Sequence, residues 1–185
     1  MASFSIDHVV VGEGDGLVQI VVRLDGALAN TAYSVDYRTL GDTAGGADFT
    51  GVATTTLNFA AGVTTQTIQI AITDNATVES FEKFWILLSN ASAGATISNN
   101  VATVGIVDND NVVATPQLSV RDVTVDEKAG TATFVVMLGG PDGGSSNDTV
   151  TVQYATSSSG TNAATAGTDY VASTGTLTFA AGESV

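Results

Sequence analysis

The chain has no cysteine, one histidine, two prolines and only five lysines and arginines among 185 residues. Without cysteine there are no disulfides and no thiolate metal sites. Five scattered cations cannot build the basic patch that phosphate recognition needs, so neither nucleic acid nor an anionic membrane surface is expected as a partner. No apolar run approaches the roughly 20 residues that span a bilayer, so this chain is not expected to insert into a membrane. The opening residues MASFSIDHVV lack a basic segment followed by a long apolar one, so any secretion signal is expected outside this chain. A long helical period with caps is also missing, and 20 glycines are scattered through the sequence, so helix should be nearly absent.

What the chain has instead is acid and alternation. Nineteen Asp and Glu against those five cations give a net charge of -14, while 44% of residues are apolar, enough for a packed core. Period-two stretches predict strands over 4–11, 17–24, 32–38, 55–59, 65–73, 84–88 and 102–107. Their inward positions are Val18, Ile20, Val22 and Leu24; Tyr33, Val35 and Tyr37; Ile68, Ile70 and Ile72; and Phe84, Ile86 and Leu88, with Gln19, Arg23, Asp36, Arg38 and Gln69 facing out. Such alternation suits an all-β, two-sheet antiparallel sandwich of seven strands. In the first strand, Phe4 and Ile6 are out of phase with Val9 and Val11, which predicts a bulge.

A repeat lies within the chain. Thr56-Leu-Asn-Phe-Ala-Ala-Gly62 matches Thr176-Leu-Thr-Phe-Ala-Ala-Gly182, Glu13 matches Glu127, and the phase change recurs at Leu118, Val120, Val123 and Val125. The expected layout is a complete sandwich over 1–111, a linker over 112–116 and a second repeat over 117–185 holding the first four strands. The loop from Gly139 to Asp148 reads as a surface connection. A half-built sandwich exposes an apolar face and open edges, so neighbouring repeats of the same protein, or a second copy in a homo-oligomer, are expected to cover it.

The acids of the first repeat fall in every second inter-strand loop, at Glu13, Asp48, Asp74 to Glu82 and Asp108 to Asp110. Alternate loops of an antiparallel run emerge at one end, so these carboxylates should converge there. The loops of the other end, 25–31, 60–64 and 89–100, hold a single acid, Asp25. Converging carboxylates repel one another unless a cation lies among them. Calcium, which takes six to eight oxygens in tolerant geometry, suits ligands gathered from several loops; magnesium keeps its waters and fits less well. Candidate ligands are Glu13, Asp48, Asp74, Glu79, Glu82, Asp108 and Asp110, with Asn75, Asn109 and Asn111 as neutral donors and the Thr77 carbonyl beside them. Asp and Asn also collect in turns for purely conformational reasons, but that preference does not explain why one end is acidic and the other is not.

The same residues carry a family resemblance. Glu13-Gly-Asp-Gly16, Tyr37-Arg-Thr39, Thr43-Ala-Gly-Gly-Ala-Asp48-Phe49, Leu57-Asn-Phe59-Ala-Ala-Gly62, Ile72-Thr-Asp74, Glu79-Ser-Phe-Glu82-Lys-Phe84 and Val107-Asp-Asn-Asp110 resemble a complete Calx-beta domain. Residues 117–185 resemble the first part of another, through Glu127, Tyr154-Ala-Thr156, Thr165-Ala-Gly-Thr-Asp169-Tyr170 and Gly175-Thr-Leu-Thr-Phe179. The resemblance implies an immunoglobulin-like sandwich with a calcium cluster at one pole, as in sodium/calcium exchangers and extracellular repeat proteins. It implies ligands at Glu13, Asp48, Asp74, Asn75, the Thr77 carbonyl, Glu79, Glu82, Asp108, Asn109 and Asp110. Asn75 and Asn109 stand where the family often has Asp, which lowers the charge of the site. In the second repeat only Glu127 and Asp169 remain, so no autonomous site is expected there.

Other features carry less. His8 has no nucleophile motif beside it, so catalysis is not expected. Trp85 falls on the outward phase of its strand and is either packed by neighbours or part of an adhesive face. Asp108-Asn-Asp-Asn111 begins like an EF-hand loop but lacks the sixth-position Gly and twelfth-position Glu. Asn75, Asn90 and Asn147 open sequons that arise easily by chance. The expected function is a calcium-binding structural module of a large extracellular or cell-surface repeat protein, with metal stiffening the junction between repeats. A regulatory calcium sensor of a membrane transporter and an adhesive ligand-binding module are the alternatives.

Overall fold

The computed structural model describes residues 1–185 apart from 124, 126–129, 141 and 162. The phase slip and Glu127 of the second repeat lie wholly or partly outside the described residues.

The first repeat is an all-β, immunoglobulin-like sandwich. One sheet holds β1 (Ala2–Ile6), β3 (Leu17–Asp25), β6 (Thr65–Ala71) and β8 (Ala95–Ile97) in the order β6-β3-β1-β8. The other is built from β4 (Tyr33–Gly41), β5 (Thr55–Phe59), β7 (Glu82–Ser89) and β9 (Val101–Val112) in the order β9-β7-β4-β5, with β2 (Val9–Gly12) on the free edge of β9. The alternation anticipated the core. Every inward position is buried except Tyr37, which is half-buried, and Phe4, Phe59 and Phe84 are fully enclosed. Burying each such aromatic contributes about 1.5–3 kcal/mol. The rings also pair across the layers: Phe4 meets Phe59 edge-on at 5.2 Å, and Phe49 stacks on Phe84 at 3.9 Å.

Two expectations change. The phase slip is no bulge, because a bulge would leave both halves on one partner. Here β1 runs antiparallel to β3 in one sheet and β2 runs parallel to β9 in the other, so the chain crosses the sandwich at the exposed pair Asp7 and His8. Phe4, Ile6 and Val11 then face one core from opposite sides. His8 is pinned at the crossing, its Nδ1 accepting from the Thr103 backbone N–H at 2.8 Å. The ladders are not all antiparallel either: β2 on β9 and the unanticipated β8 on β1 are parallel.

The second repeat is spread thinly. β10 (Leu118–Val120) pairs with β11 (Val136–Leu138), and β13 (Val150–Ala155) pairs with β14 (Thr174–Phe179). Between them β12 (Gly143–Ser145) leaves its own repeat and adds to the first sandwich, parallel to β9, with Gly143 opposite Asp108 and Ser145 opposite Val112. β2 and β12 thus lie end to end along one edge of β9.

Residues 143–146 are consequently buried, against the expectation of a surface connection. The cause is close backbone approach. Gly143 has φ 99, and a Cβ there would sit 2.6 Å from Val107 Cγ1 and 2.8 Å from the Asp108 carbonyl oxygen. Only glycine fits that conformation and that gap. Leu118, Val120, Phe134 and Tyr154 are exposed.

Candidate metal centre

Backbone hydrogen bonds stitch the acidic pole together. Ile72 N donates to Gly16 O at 3.1 Å, Thr73 N to Asp48 O at 2.9 Å and Ala44 N to Lys83 O at 2.9 Å, so the loops that carry the acids brace one another. Glu13 opens a short 3-10 turn, Glu13–Asp15, which Asp15 caps by accepting from Gly12 N at 2.9 Å and which Gly16 ends in the left-handed region. Asp48 is fixed by its neighbour Phe49, stacked on Phe84, and by the Gly45 N–H, which donates to Asp48 Oδ2 at 2.6 Å. The Glu79 to Glu82 segment is anchored by Phe81, whose ring fills the space a side chain on Gly105 would take.

Asp108, Asn109 and Asp110 lie within β9, not in a loop following it as the sequence suggested. The twelve-residue strand runs past the end of the core, and β12 supplies the partner that keeps it extended.

Two groups of three carboxylates result, each with ligand oxygens within 4.8 Å of one another: Glu13, Asp108 and Asp110, and Asp48, Glu79 and Glu82. Glu13, Asp48 and Asp108 are buried. Asp74 is exposed on the rim and adds to the field on Asp110. Asn75 reaches between the groups and donates to Glu13 and Glu79. Thr77 is exposed, and its N–H donates to Asn75 Oδ1. Asn111 N donates to Asp108 Oδ2 at 3.1 Å.

Crowding shows in the proton affinities. Burial, reinforced by Asp110, Asp108 and Glu79, lifts Glu13 from 4.5 to about 7 against the opposing hydrogen bond from Asn75 N–H. Burial, with Asp48 and Glu79 beside it, lifts Glu82 to about 7. Burial and then Asp108 raise Asp110. Such a cluster holds its charge only if something positive enters it.

The donor chemistry fits a hard cation. Every side chain in both groups presents oxygen, and three buried oxygens, Asp108 Oδ1, Asn109 Oδ1 and Asp110 Oδ2, have no hydrogen-bond partner among the described residues. Buried polar atoms are almost always satisfied; the orphans on Asp108 and Asp110, whose carboxylates group with Glu13, mark a place for a ligand. Oxygen-only coordination suits calcium.

The Calx-beta domain model matches residues 1–110 and again 109–185, so the two matches together span the chain. The chain belongs to the Calx-beta domain family. Among solved Calx-beta structures, the apo-form Calx CBD1 domain is 32% identical, covers 59% of this chain and 98% of its own, and superposes with a TM-score of 0.54. The calcium binding domain CBD12 of CALX1.1 is 28% identical and covers 98% of this chain and 71% of its own, with a TM-score of 0.57. The mouse extracellular matrix organizing protein FRAS1 is 32% identical over 124 residues, which is 67% of this chain and 3% of that protein's length.

Periodicity gave no sign of the residues that join the two repeats at this pole. The Arg121 guanidinium lies 3.8 Å from the centre of the Phe81 ring. Ser184, 3% exposed, donates from Oγ to Val107 O at 3.4 Å. Gly143 and Gly144 were legible only as part of a glycine-rich stretch.

Proposed function

We propose that the chain is a calcium-binding structural module of a large extracellular repeat protein, in which metal at the pole of the first repeat stiffens its junction with the second. The observation that carries this reading is the set of orphaned oxygens on Asp108, Asn109 and Asp110. They lie on the strand that β12 of the second repeat extends. Glu13, Asp48, Glu79, Glu82, Asp108, Asn109 and Asp110 would hold the ions, with Asp74 and the Thr77 carbonyl on the rim. Bound calcium neutralises this segment of β9 and so fixes the edge on which β12 and Ser184 rest.

Family membership and the likeness to a protein named a calcium binding domain support the metal. The likeness to an extracellular matrix organizing protein supports the location. Among the described residues no helix is long and apolar enough to cross a membrane. The partners are neighbouring repeats of the same protein, which would also cover Leu118, Val120, Phe134 and Tyr154; a second copy could fill that role in a homo-oligomer. The module acts by binding.

Limited proteolysis tests the reading. Calcium at millimolar concentration should slow cleavage within residues 112–116, and a chelator should restore it. Equal cleavage rates with and without calcium would remove the stiffening role. An affinity of roughly 10⁻⁴ to 10⁻³ M suits a structural extracellular module, whereas 10⁻⁷ to 10⁻⁵ M would turn the assignment toward a regulatory sensor.

A further inference from the structure

Two asparagines stand among the acids of the pole, and their amides face opposite ways. Asn109 Oδ1 is buried with no partner among the described residues, while its Nδ2 rests against Gly14, where a Cβ would come within 2.9 Å of it. That amide therefore offers its oxygen. Asn75 does the reverse. Its Oδ1 accepts from the Thr77 backbone N–H at 2.7 Å, which fixes the orientation of the amide and turns its NH2 inward. Nδ2 then donates to Glu13 Oε1 at 2.6 Å and to Glu79 Oε2 at 3.3 Å, while the Asn75 backbone N–H donates to the same Glu13 oxygen at 2.9 Å.

Glu13 belongs to one group of carboxylates and Glu79 to the other. The NH2 group carries two hydrogens, and each is directed to a different group, so what the amide turns toward Glu13 and Glu79 is donor, while its oxygen faces the Thr77 N–H. It occupies the place where a further ion would have to sit to bridge Glu13 and Glu79. We propose that Asn75 sets the number of ions at this pole, keeping the two carboxylate groups as separate calcium sites and standing in for a third cation between them. This deepens the calcium reading above and rests on it.

The consequence is specific to the exchange of one amide for one carboxylate. Asn75→Asp removes the NH2 donors and adds a charge facing Glu13 and Glu79. Without metal it should lower the melting temperature; with metal it should create a further site. Asn75→Leu removes the donors at similar size and adds no charge, so it separates loss of the bridge from gain of a ligand.

Calorimetric titration of calcium into the whole chain, paired with melting curves in chelator and in calcium, tests this. Wild type should bind two ions, one for each group. Asn75→Asp should bind at least one more and recover its melting temperature fully in calcium, whereas Asn75→Leu should not gain an ion. Wild-type binding together with an unchanged ion count in a folded Asn75→Asp variant would overturn the Asn75 assignment and leave the calcium reading standing. Absence of binding in wild type and variant alike would sink the calcium reading itself. Binding by Asn75→Asp alone would sink the calcium reading for the native chain and, with it, the claim that Asn75 keeps two sites apart.

Discussion

Without metal, the protein should be more stable at pH 5 than at pH 8, the reverse of what paired carboxylates usually produce. Glu13 and Glu82 are both lifted from 4.5 to about 7, chiefly by burial. Between those values the native chain holds protons that the unfolded chain has released. The unfolding free energy therefore falls as pH rises, and the stabilisation present below about 4.5 is lost as pH passes through about 7. Asp110, raised for the same reason, acts in the same direction. Asp36 is lowered by its bonds to Thr56 and Asn90, so its contribution is lost only below its ordinary value of 3.8 and does not enter this window.

For Glu13, 2% exposed, the displacement corresponds to about 3 kcal/mol as an upper limit, at about 1.4 kcal/mol per pH unit. Glu82 is partly exposed, so water and salt reduce its share to about 1 kcal/mol. A net loss of about 2–4 kcal/mol from pH 5 to pH 8 should lower Tm by about 5–10 °C. The assay is a series of thermal or urea melts on chelator-stripped protein dialysed into metal-free buffers. Glu13→Gln should flatten the dependence, and saturating calcium should invert it, since calcium binds the ionised carboxylates. Metal-free stability that is flat or climbs from pH 5 to pH 8 would refute the picture of a self-repelling pole.

Asp108→Ala should abolish binding at the buried group and remove the calcium-dependent rise in melting temperature, read by calorimetry and melting curves. Gly143→Ala, forced against Val107 and Asp108 O, should detach β12 and make the 112–116 segment cleavable even in calcium. Arg121→Ala, which loses the contact with Phe81, should do so more weakly, by about 1 kcal/mol of coupling or less. Phe84→Ala, which empties a fully buried site and unstacks Phe49, should cost about 3–5 kcal/mol in denaturant melts.

Alternation along β3, β4, β6 and β7 put every inward residue it named except Tyr37 into the buried core, because a strand with one buried face writes its period into the sequence. The same logic could not tell a bulge from a sheet crossing at Asp7 and His8, since both shift the phase by one residue and differ only in the partner chosen. The acids legible in sequence include both groups of three that the fold assembles. Asp108 to Asp110 looked like loop because turn-forming residues dominate the run; their extended form depends on β12, more than thirty residues downstream in an element too short and glycine-rich to carry a pattern. The amide directions of Asn75 and Asn109 were illegible for a simpler reason: they are set by a backbone N–H at Thr77 and a missing side chain at Gly14.

The most direct measurement is the position of the ion. Crystals of the whole chain grown in millimolar calcium should show density peaks at the first-repeat pole, one with Glu13, Asp108 Oδ1, Asn109 Oδ1 and Asp110 Oδ2 as ligands at about 2.3–2.6 Å, the other among Asp48, Glu79 and Glu82. Ordered carboxylates with only water between them at that concentration would contradict the account.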